Sequence, residues 1–216
     1  MINARTLVIG FDLPSFARAC MPHGTCYADR LGVLPVTPGP SGWITVERQT
    51  DQIRLHLLRH PTDAPVFWRE VYVRDHIMEE RFFTLAELAF SRLLVASSLS
   101  FRRFRGAYAE VLPWLVRLLG AVNDHFAQEL AQRGGDQNQV MARFSVLGLD
   151  ISPESPQTKK NAKARAERLV PYEDAQYRCE WHGKRVWDRD RVHFSLPIAE
   201  HDGRILIGAF VGHLST

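Results

Sequence analysis

Histidine, arginine, lysine and glutamate alternate with apolar residues towards the end of the chain. One alternating set comprises Arg178, Glu180, His182 and Lys184, and a second comprises Arg189, Arg191 and His193. Side chains two residues apart on a β-strand point to the same face of a sheet. Because neighbouring strands lie about 4.8 Å apart, two such strands would bring these groups within the width of one substrate.

This combination of side chains predicts RNA cleavage without a metal ion. Attack by a ribose 2′-hydroxyl on the adjacent phosphate needs a base, an acid and cations around the phosphate. His182 or Glu180 would be the base and His193 the acid, while Arg191 and Lys184 would bind the phosphate. The hypothesis requires that these groups project together into solvent. The alternative is a solvated sheet face without function, which is common in antiparallel sheets.

The order of elements around these residues resembles RelE-type ribonuclease toxins and the wider barnase/RelE-like group. A basic helix precedes a strand, the stretch Asp188–Phe194 (DRDRVHF) and a further apolar strand. In that group a small antiparallel sheet presents Arg, Lys, His or Glu to RNA. The resemblance therefore implies RNA contacts for Lys184, Arg191 and His193. It covers residues 157–216 only, and residues 1–150 have no counterpart in it.

Cysteine and histidine also recur at close spacing near the start of the chain. Cys20, His23 and Cys26 form a Cys-x2-His-x2-Cys pattern that would place three ligands around one zinc ion. Tetrahedral zinc takes four ligands, and Cys179 with His182 offers a second pair. Small buried cysteines and a loop histidine explain the same residues. We therefore expect no cofactor and keep zinc as the alternative.

Two basic segments would extend a contact with a polyanion. The first places Arg102, Arg103 and Arg105 around Phe101 and Phe104. The further cations predicted to bind nucleic acid are Lys159, Lys160, Lys163, Arg165, Arg168 and Arg189. Such cations neutralise phosphates, and interleaved aromatic rings stack on bases. A solvated helix face is the alternative interpretation of either segment by itself.

The composition is typical of a folded protein in the cytoplasm. Of the 216 residues, 45% are hydrophobic and 24% are charged, with a formal net charge of +3. This balance permits an anionic partner without requiring one. No run reaches the roughly 18 apolar residues of a membrane span, and the first residues lack the pattern of a signal peptide. The three cysteines are an odd number, so reduced thiols are expected.

The hydrophobic pattern predicts an α+β fold in which a helical middle packs on a C-terminal antiparallel sheet, with an N-terminal β-hairpin region. Trp43–Arg48 and Ile53–Arg59 alternate as the two strands of the hairpin. Tyr108–Leu130 has apolar residues at helical spacing, and Gly134 follows as a helix end. After Pro171 the period changes to two, and three antiparallel strands are predicted.

Three local predictions complete this description. Val66–Val73 is either a third strand or part of a helix that begins near Pro65. Thr84 and Glu87 fit a capping box at a helix start. A boundary near Ile151–Pro156 would give one domain over 1–150 and another over 157–216, although one continuous domain is equally compatible.

These observations together favour a protein that interacts with nucleic acid, with RNA as the preferred ligand. The leading chemistry is metal-independent RNA cleavage of the toxin or phage-defence type, which would imply a protein antidote as a further partner. A non-catalytic nucleic-acid-binding or scaffold subunit of a larger complex is the first alternative. A zinc-stabilised accessory protein is the second.

Overall fold

The computed structural model describes residues 8–9, 32–34, 41–48, 51–58, 60–187, 189–212 and 214. The chain divides into two compact units, Met1–Val71 and Tyr72–Thr216. This division differs from the boundary predicted near residue 151, because the segment Asp150–Pro153 pairs as a strand within the sheet of the second unit. None of the described helices is both long and apolar enough to cross a membrane.

The first unit contains a sheet of short strands. Its strands are β1 (Val8–Ile9), β2 (Gly32–Leu34), β3 (Gly42–Arg48) and β4 (Asp51–Leu57), in the order β1-β2-β4-β3. Strands β3 and β4 pair antiparallel along their full length, which confirms the predicted hairpin. The helix α1 (Ala64–Arg74) begins in this unit. The strand interpretation of Val66–Val73 is therefore wrong, and Pro65 lies in the first turn, where a helix tolerates proline.

The second unit holds the remaining helices and strands of the described residues. In chain order they are α2 (Glu79–Ala89), β5 (Leu93–Val95), α3 (Tyr108–Ala121), α4 (Ala127–Gln132), α5 (Gln137–Val146), β6 (Asp150–Pro153), α6 (Pro156–Lys160), α7 (Ala162–Glu167), β7 (Leu169–Tyr172), β8 (Ala175–Arg178), β9 (Trp181–Val186), β10 (Arg189–Ile198) and β11 (Arg204–Val211). Five strands form a mixed sheet in the order β5-β11-β10-β9-β6, and β7 pairs with β8 separately. The predicted α+β class is confirmed.

The helical middle forms largely as predicted. Helix α3 continues through a π-helical turn, Val122–Phe126, directly into α4. Gly134 and Gly135 follow with positive φ angles of 58° and 82°, a conformation that favours glycine at a helix end. The capping box is wrong, because α2 begins at Glu79 and Thr84 lies inside it.

One face of the five-stranded sheet packs against these helices. The rings of Trp181 and Phe194 each lie 5.0 Å from that of Phe126. Gly183 approaches Leu118 so closely that a Cβ would overlap its side chain. Trp181, Gly183 and Phe194 therefore face the helices, as their alternation predicts. The side chains that alternate with them face the other way, namely His182, Lys184, Arg191 and His193.

Two predicted elements near the end of the chain are interrupted. The basic helix is split at Asn161, whose side chain accepts hydrogen bonds from the first turn of α7. The strand predicted to carry Arg178, Glu180, His182 and Lys184 is also split, because β8 ends at Arg178 and β9 begins at Trp181. Arg178 therefore belongs to the small β7–β8 pair and does not share a strand with His182.

Candidate functional site

The register of the sheet brings together four of the five residues predicted to be catalytic. His182 lies opposite His193, and Lys184 lies opposite Arg191, on the antiparallel strands β9 and β10. Strand β6 extends both pairs by one residue each. We call Ser152, His182 and His193 the inner row, and Asp150, Lys184 and Arg191 the outer row. Both rows lie on the sheet face opposite the helices.

The inner row is buried, so the prediction that its imidazoles project into solvent is wrong. His182 is 5% exposed and His193 is fully buried. Their ring centroids lie 5.1 Å apart. The segment between β6 and β9 folds back over this part of the sheet, where Cys179 packs against Gly208 of β11 and Arg168 lies in a buried ion pair. The alternation of a strand predicts its face but contains no information about what covers that face.

A carboxylate that the sequence did not indicate organises this buried group. Glu154 follows β6, and its Oε1 atom lies 2.7 Å from Arg168 Nε, 3.3 Å from His182 Nδ1 and 3.6 Å from His193 Nδ1. Arg168 also donates from Nη1 to the carbonyl of Ala164. We call Glu154, Arg168, His182 and His193 the Glu154 cluster. Arg168 was predicted to contact phosphates, which is wrong because it is 3% exposed.

Burial and neighbouring charges set the protonation of the Glu154 cluster. Burial by itself would raise the pKa of Glu154, but His182 and Arg168 outweigh that effect and hold it at about 2. Burial, reinforced by the adjacent His182, lowers the pKa of His193 to about 3. Burial also lowers the pKa of His182, although Glu154 opposes the change. At neutral pH the cluster therefore contains one ion pair and two neutral imidazoles.

The outer row lies at the more open end of the same strands. Lys184 Nζ is 3.6 Å from Asp150 Oδ1, and Arg191 donates from Nη2 to the carbonyl of Trp187. Trp187 lies in the turn between β9 and β10 and is 81% exposed. Single exposed apolar side chains are common on protein surfaces, but an exposed aromatic ring among cations is a candidate contact surface for an anionic ligand.

Asp190 joins the first predicted basic segment to this turn. It is fully buried, and its carboxylate accepts hydrogen bonds from the backbone N–H groups of Arg105 and Gly106 and from Arg185 Nη1. The exposed Arg105 is thereby placed beside the β9–β10 turn, and Arg102 and Arg103 precede it on the same segment. We call the resulting group the basic hairpin end; it comprises Arg102, Arg103, Arg105, Lys184, Arg185, Trp187, Arg189 and Arg191.

The remaining predicted residues lie elsewhere. Glu180 precedes β9 and forms ion pairs with Lys159 at 3.3 Å and Arg178 at 3.6 Å, so it joins neither row. Lys160, Lys163 and Arg165 are exposed on α6 and α7.

Phe101 is buried against Phe210 rather than available to a base. The zinc-type residues Cys20, His23 and Cys26 lie outside the residues that the structure describes.

Three residues of this region were missed by the sequence interpretation. Trp187 carried a usable signal, since it is an aromatic residue between two arginines in a turn. Asp190 and Glu154 carried none, because their roles depend on partners far away in the sequence.

Comparison with known proteins provides no relative. No family model matches the chain, and no match was found among the curated proteins or the solved structures. The resemblance to RelE-type toxins therefore stays a prediction, and the function has to be inferred from the geometry of the site.

Proposed function

We propose that this protein binds single-stranded nucleic acid, and RNA in particular, through the basic hairpin end. The observation that carries the proposal is the 81% exposed indole of Trp187, which lies in a turn between Arg185 and Arg189. Exposed aromatic rings among cations are the usual contact surface for single strands, because every base offers a face for stacking. Phosphates next to the stacked base would meet the surrounding guanidinium groups.

The charge around Trp187 supports a polyanionic ligand. The basic hairpin end has seven cationic side chains. Within the described part of the chain, Asp150 forms an ion pair with Lys184, and Glu110 and the buried Asp190 form ion pairs with Arg185. The pairs with Asp150 and Glu110 are 3.6 and 3.7 Å long and partly exposed. Exposed pairs of this kind contribute at most about 1 kcal/mol. A phosphate can therefore replace either carboxylate as the partner.

Single strands fit this surface better than duplexes. Stacking on Trp187 needs an unpaired base, and sequence-specific proteins generally contact RNA in its single-stranded regions. RNA rather than DNA is the ligand implied by the resemblance to ribonuclease toxins. The exposed cations on α6 and α7 are the alternative binding surface. Among the described residues around them, no aromatic side chain is as exposed as Trp187.

Binding is proposed here, and cleavage stays a prediction. A general acid and base must reach the ribose and phosphate, but His182 and His193 are buried. Products with 2′,3′-cyclic phosphate ends would support cleavage. Intact RNA that stays bound would support the non-catalytic alternative.

The proposal is tested by fluorescence anisotropy with a labelled single-stranded RNA of mixed sequence. Trp187→Ala should weaken binding by about 5- to 150-fold, the effect of losing about 1–3 kcal/mol of stacking. Val146→Ala is the matched control, since Val146 is 78% exposed on α5. Its affinity should equal that of the unmodified protein. Equal affinities for both variants would contradict the proposal.

A second comparison tests the charge component. Arg189→Gln should reduce the salt dependence of binding by about one phosphate contact. Arg92→Gln serves as control, because Arg92 directly precedes β5 at the other end of the sheet. The length of the ten-residue strand β10 separates the two ends by about 30 Å. If the salt dependence of binding fell only in the Arg92 variant, the phosphate contact would lie outside the basic hairpin end.

A further inference from the structure

The Glu154 cluster contains the donor set of a metal centre. We propose that Glu154, His182 and His193 together bind one divalent transition-metal ion of the zinc type. The site is independent of the basic hairpin end and of any activity towards nucleic acid. It also differs from the zinc site predicted at Cys20, His23 and Cys26.

The distances between the donor atoms support this assignment. Each of the three residues offers one ligand atom, and these atoms lie within 4.8 Å of one another. Zinc bonds of about 2.0–2.2 Å in tetrahedral geometry separate neighbouring ligand atoms by about 3.3–3.5 Å. Glu154 Oε1 lies 3.3 Å from His182 Nδ1 and 3.6 Å from His193 Nδ1. Small side-chain adjustments would complete such a site.

The chemistry of the donors points to the same class of ion. Neutral imidazole nitrogen is a good ligand for zinc, copper, iron and nickel, whereas magnesium and calcium prefer oxygen. Two histidines with one carboxylate leave a further coordination position for water. Both ring nitrogens of His193 are buried outside full hydrogen-bond geometry. A buried lone pair that faces a carboxylate is stabilised when a cation lies between them.

A residue around the donors fixes the orientation of one ligand. Ser152 Oγ lies 3.3 Å from His182 Nε2, the nitrogen that faces away from Glu154. Ligating histidines commonly donate their second N–H to such an outer partner, which fixes the tautomer and leaves the first nitrogen for the metal. His182 Nδ1 is thereby directed at the proposed ion.

Arg168 determines how the site behaves without metal. Its Nε atom lies 2.7 Å from the same Glu154 oxygen. A carboxylate oxygen can accept two partners, so Arg168 can hold Glu154 while that oxygen also binds the ion. Because the ion pair is already neutral, the metal-free protein should fold. The positive charge of Arg168 should also make binding weaker than at a site without an adjacent cation.

The test uses the full-length, tag-free chain after chelator treatment. Zinc binding is measured by competition with a chromophoric chelator in the Cys20→Ser/Cys26→Ser background, which removes thiols from the other predicted site. We expect one equivalent of zinc in that background. His182→Gln and His193→Gln should each weaken the affinity by about 100-fold or more, and Ser152→Ala by about 10- to 100-fold.

His125→Gln is the matched control, because it removes a half-buried histidine from the π-helical turn and leaves the cluster intact. Circular dichroism checks that each variant is folded. Failure of the Cys20→Ser/Cys26→Ser background to bind zinc would overturn the proposal, as would unchanged stoichiometry and affinity in both folded ligand variants.

A second measurement keeps the proposal testable if the ligand variants do not fold. X-ray absorption at the zinc edge of the Cys20→Ser/Cys26→Ser background should show nitrogen and oxygen ligands with the scattering pattern of two imidazoles. Bound zinc without imidazole scattering would overturn the proposal.

Discussion

The inner and outer rows occupy neighbouring positions on the same strands and the same face, yet their surroundings differ completely. His182 and His193 are covered, whereas Lys184 and Arg191, two residues further along, stay partly exposed. The alternation of polar and apolar residues is identical in both rows. The difference arises from the segment between β6 and β9, which folds over one row and not over the other.

The two rows separate two properties that a single sequence pattern combines. The period of a strand determines which side chains share a face. The environment of that face depends on a distant part of the chain, and it converts the same histidines from solvent-exposed groups into neutral members of a buried cluster. The inner row is accordingly suited to structure or metal binding, and the outer row to a charged ligand.

The largest expected effect comes from removing the buried anion. Glu154→Gln would leave the Arg168 guanidinium buried without its partner, so we expect the free energy of unfolding to fall by about 3–5 kcal/mol. Glu129→Gln is the control, because its partners Arg133 and Arg143 are about one-third exposed, and it should cost less than about 1 kcal/mol. Urea denaturation with a chelator present measures both. Equal losses of unfolding free energy in the two variants would contradict the expectation that the buried ion pair contributes more than the partly exposed one.

The next largest loss of stability is expected where Asp190 attaches the basic segment to the β9–β10 turn. Asp190→Ala would leave the Arg105 and Gly106 N–H groups without their acceptor and should cost about 2–3 kcal/mol. Asp190→Asn should cost less, because asparagine keeps one acceptor oxygen and tolerates the φ angle of 57° at this position. Thermal denaturation of both variants tests this order, and the opposite order would refute it.

The pH dependence of stability distinguishes the two rows further. In the folded protein His193 has its pKa lowered to about 3, whereas an unfolded histidine has about 6.5. The unfolded state therefore binds more protons below pH 6.5, so stability is complete above that pH and falls as the pH decreases. Between pH 8 and pH 5 we expect His193 to contribute a loss of about 2 kcal/mol in the chelator-treated protein.

A substitution identifies the source of this pH dependence. His193→Gln should abolish the contribution, and His125→Gln should retain it, when urea denaturation is compared at the two pH values. A slope that is unchanged in the His193 variant would show that His193 is not held neutral.

The smallest effect on stability is expected in the outer row. Lys184→Gln removes a partly exposed pair with Asp150 and should change the free energy of unfolding by no more than about 1 kcal/mol. The same variant should weaken RNA binding, because Lys184 belongs to the basic hairpin end. A large loss of stability without any change in RNA binding would assign Lys184 to the structural part of the sheet.

The sequence predicted the local helices and strands better than it predicted which of their faces are buried by other parts of the chain. The β3–β4 hairpin, the run from α3 to α4 and the neighbouring positions of the two histidine strands all follow from local periodicity and turn residues. The burial of His182, the ion pair of Arg168 and the anchoring role of Asp190 depend on contacts between residues that are distant in sequence. Those contacts leave no local pattern, so they required the structure.

Photochemical crosslinking tests most directly whether the basic hairpin end binds RNA. A single-stranded RNA containing 5-iodouridine is crosslinked to the unmodified protein, and the attached peptide is identified by mass spectrometry. The account predicts attachment at Trp187 in the β9–β10 turn. Attachment confined to the exposed cations of α6 and α7, with none at the turn, would contradict it.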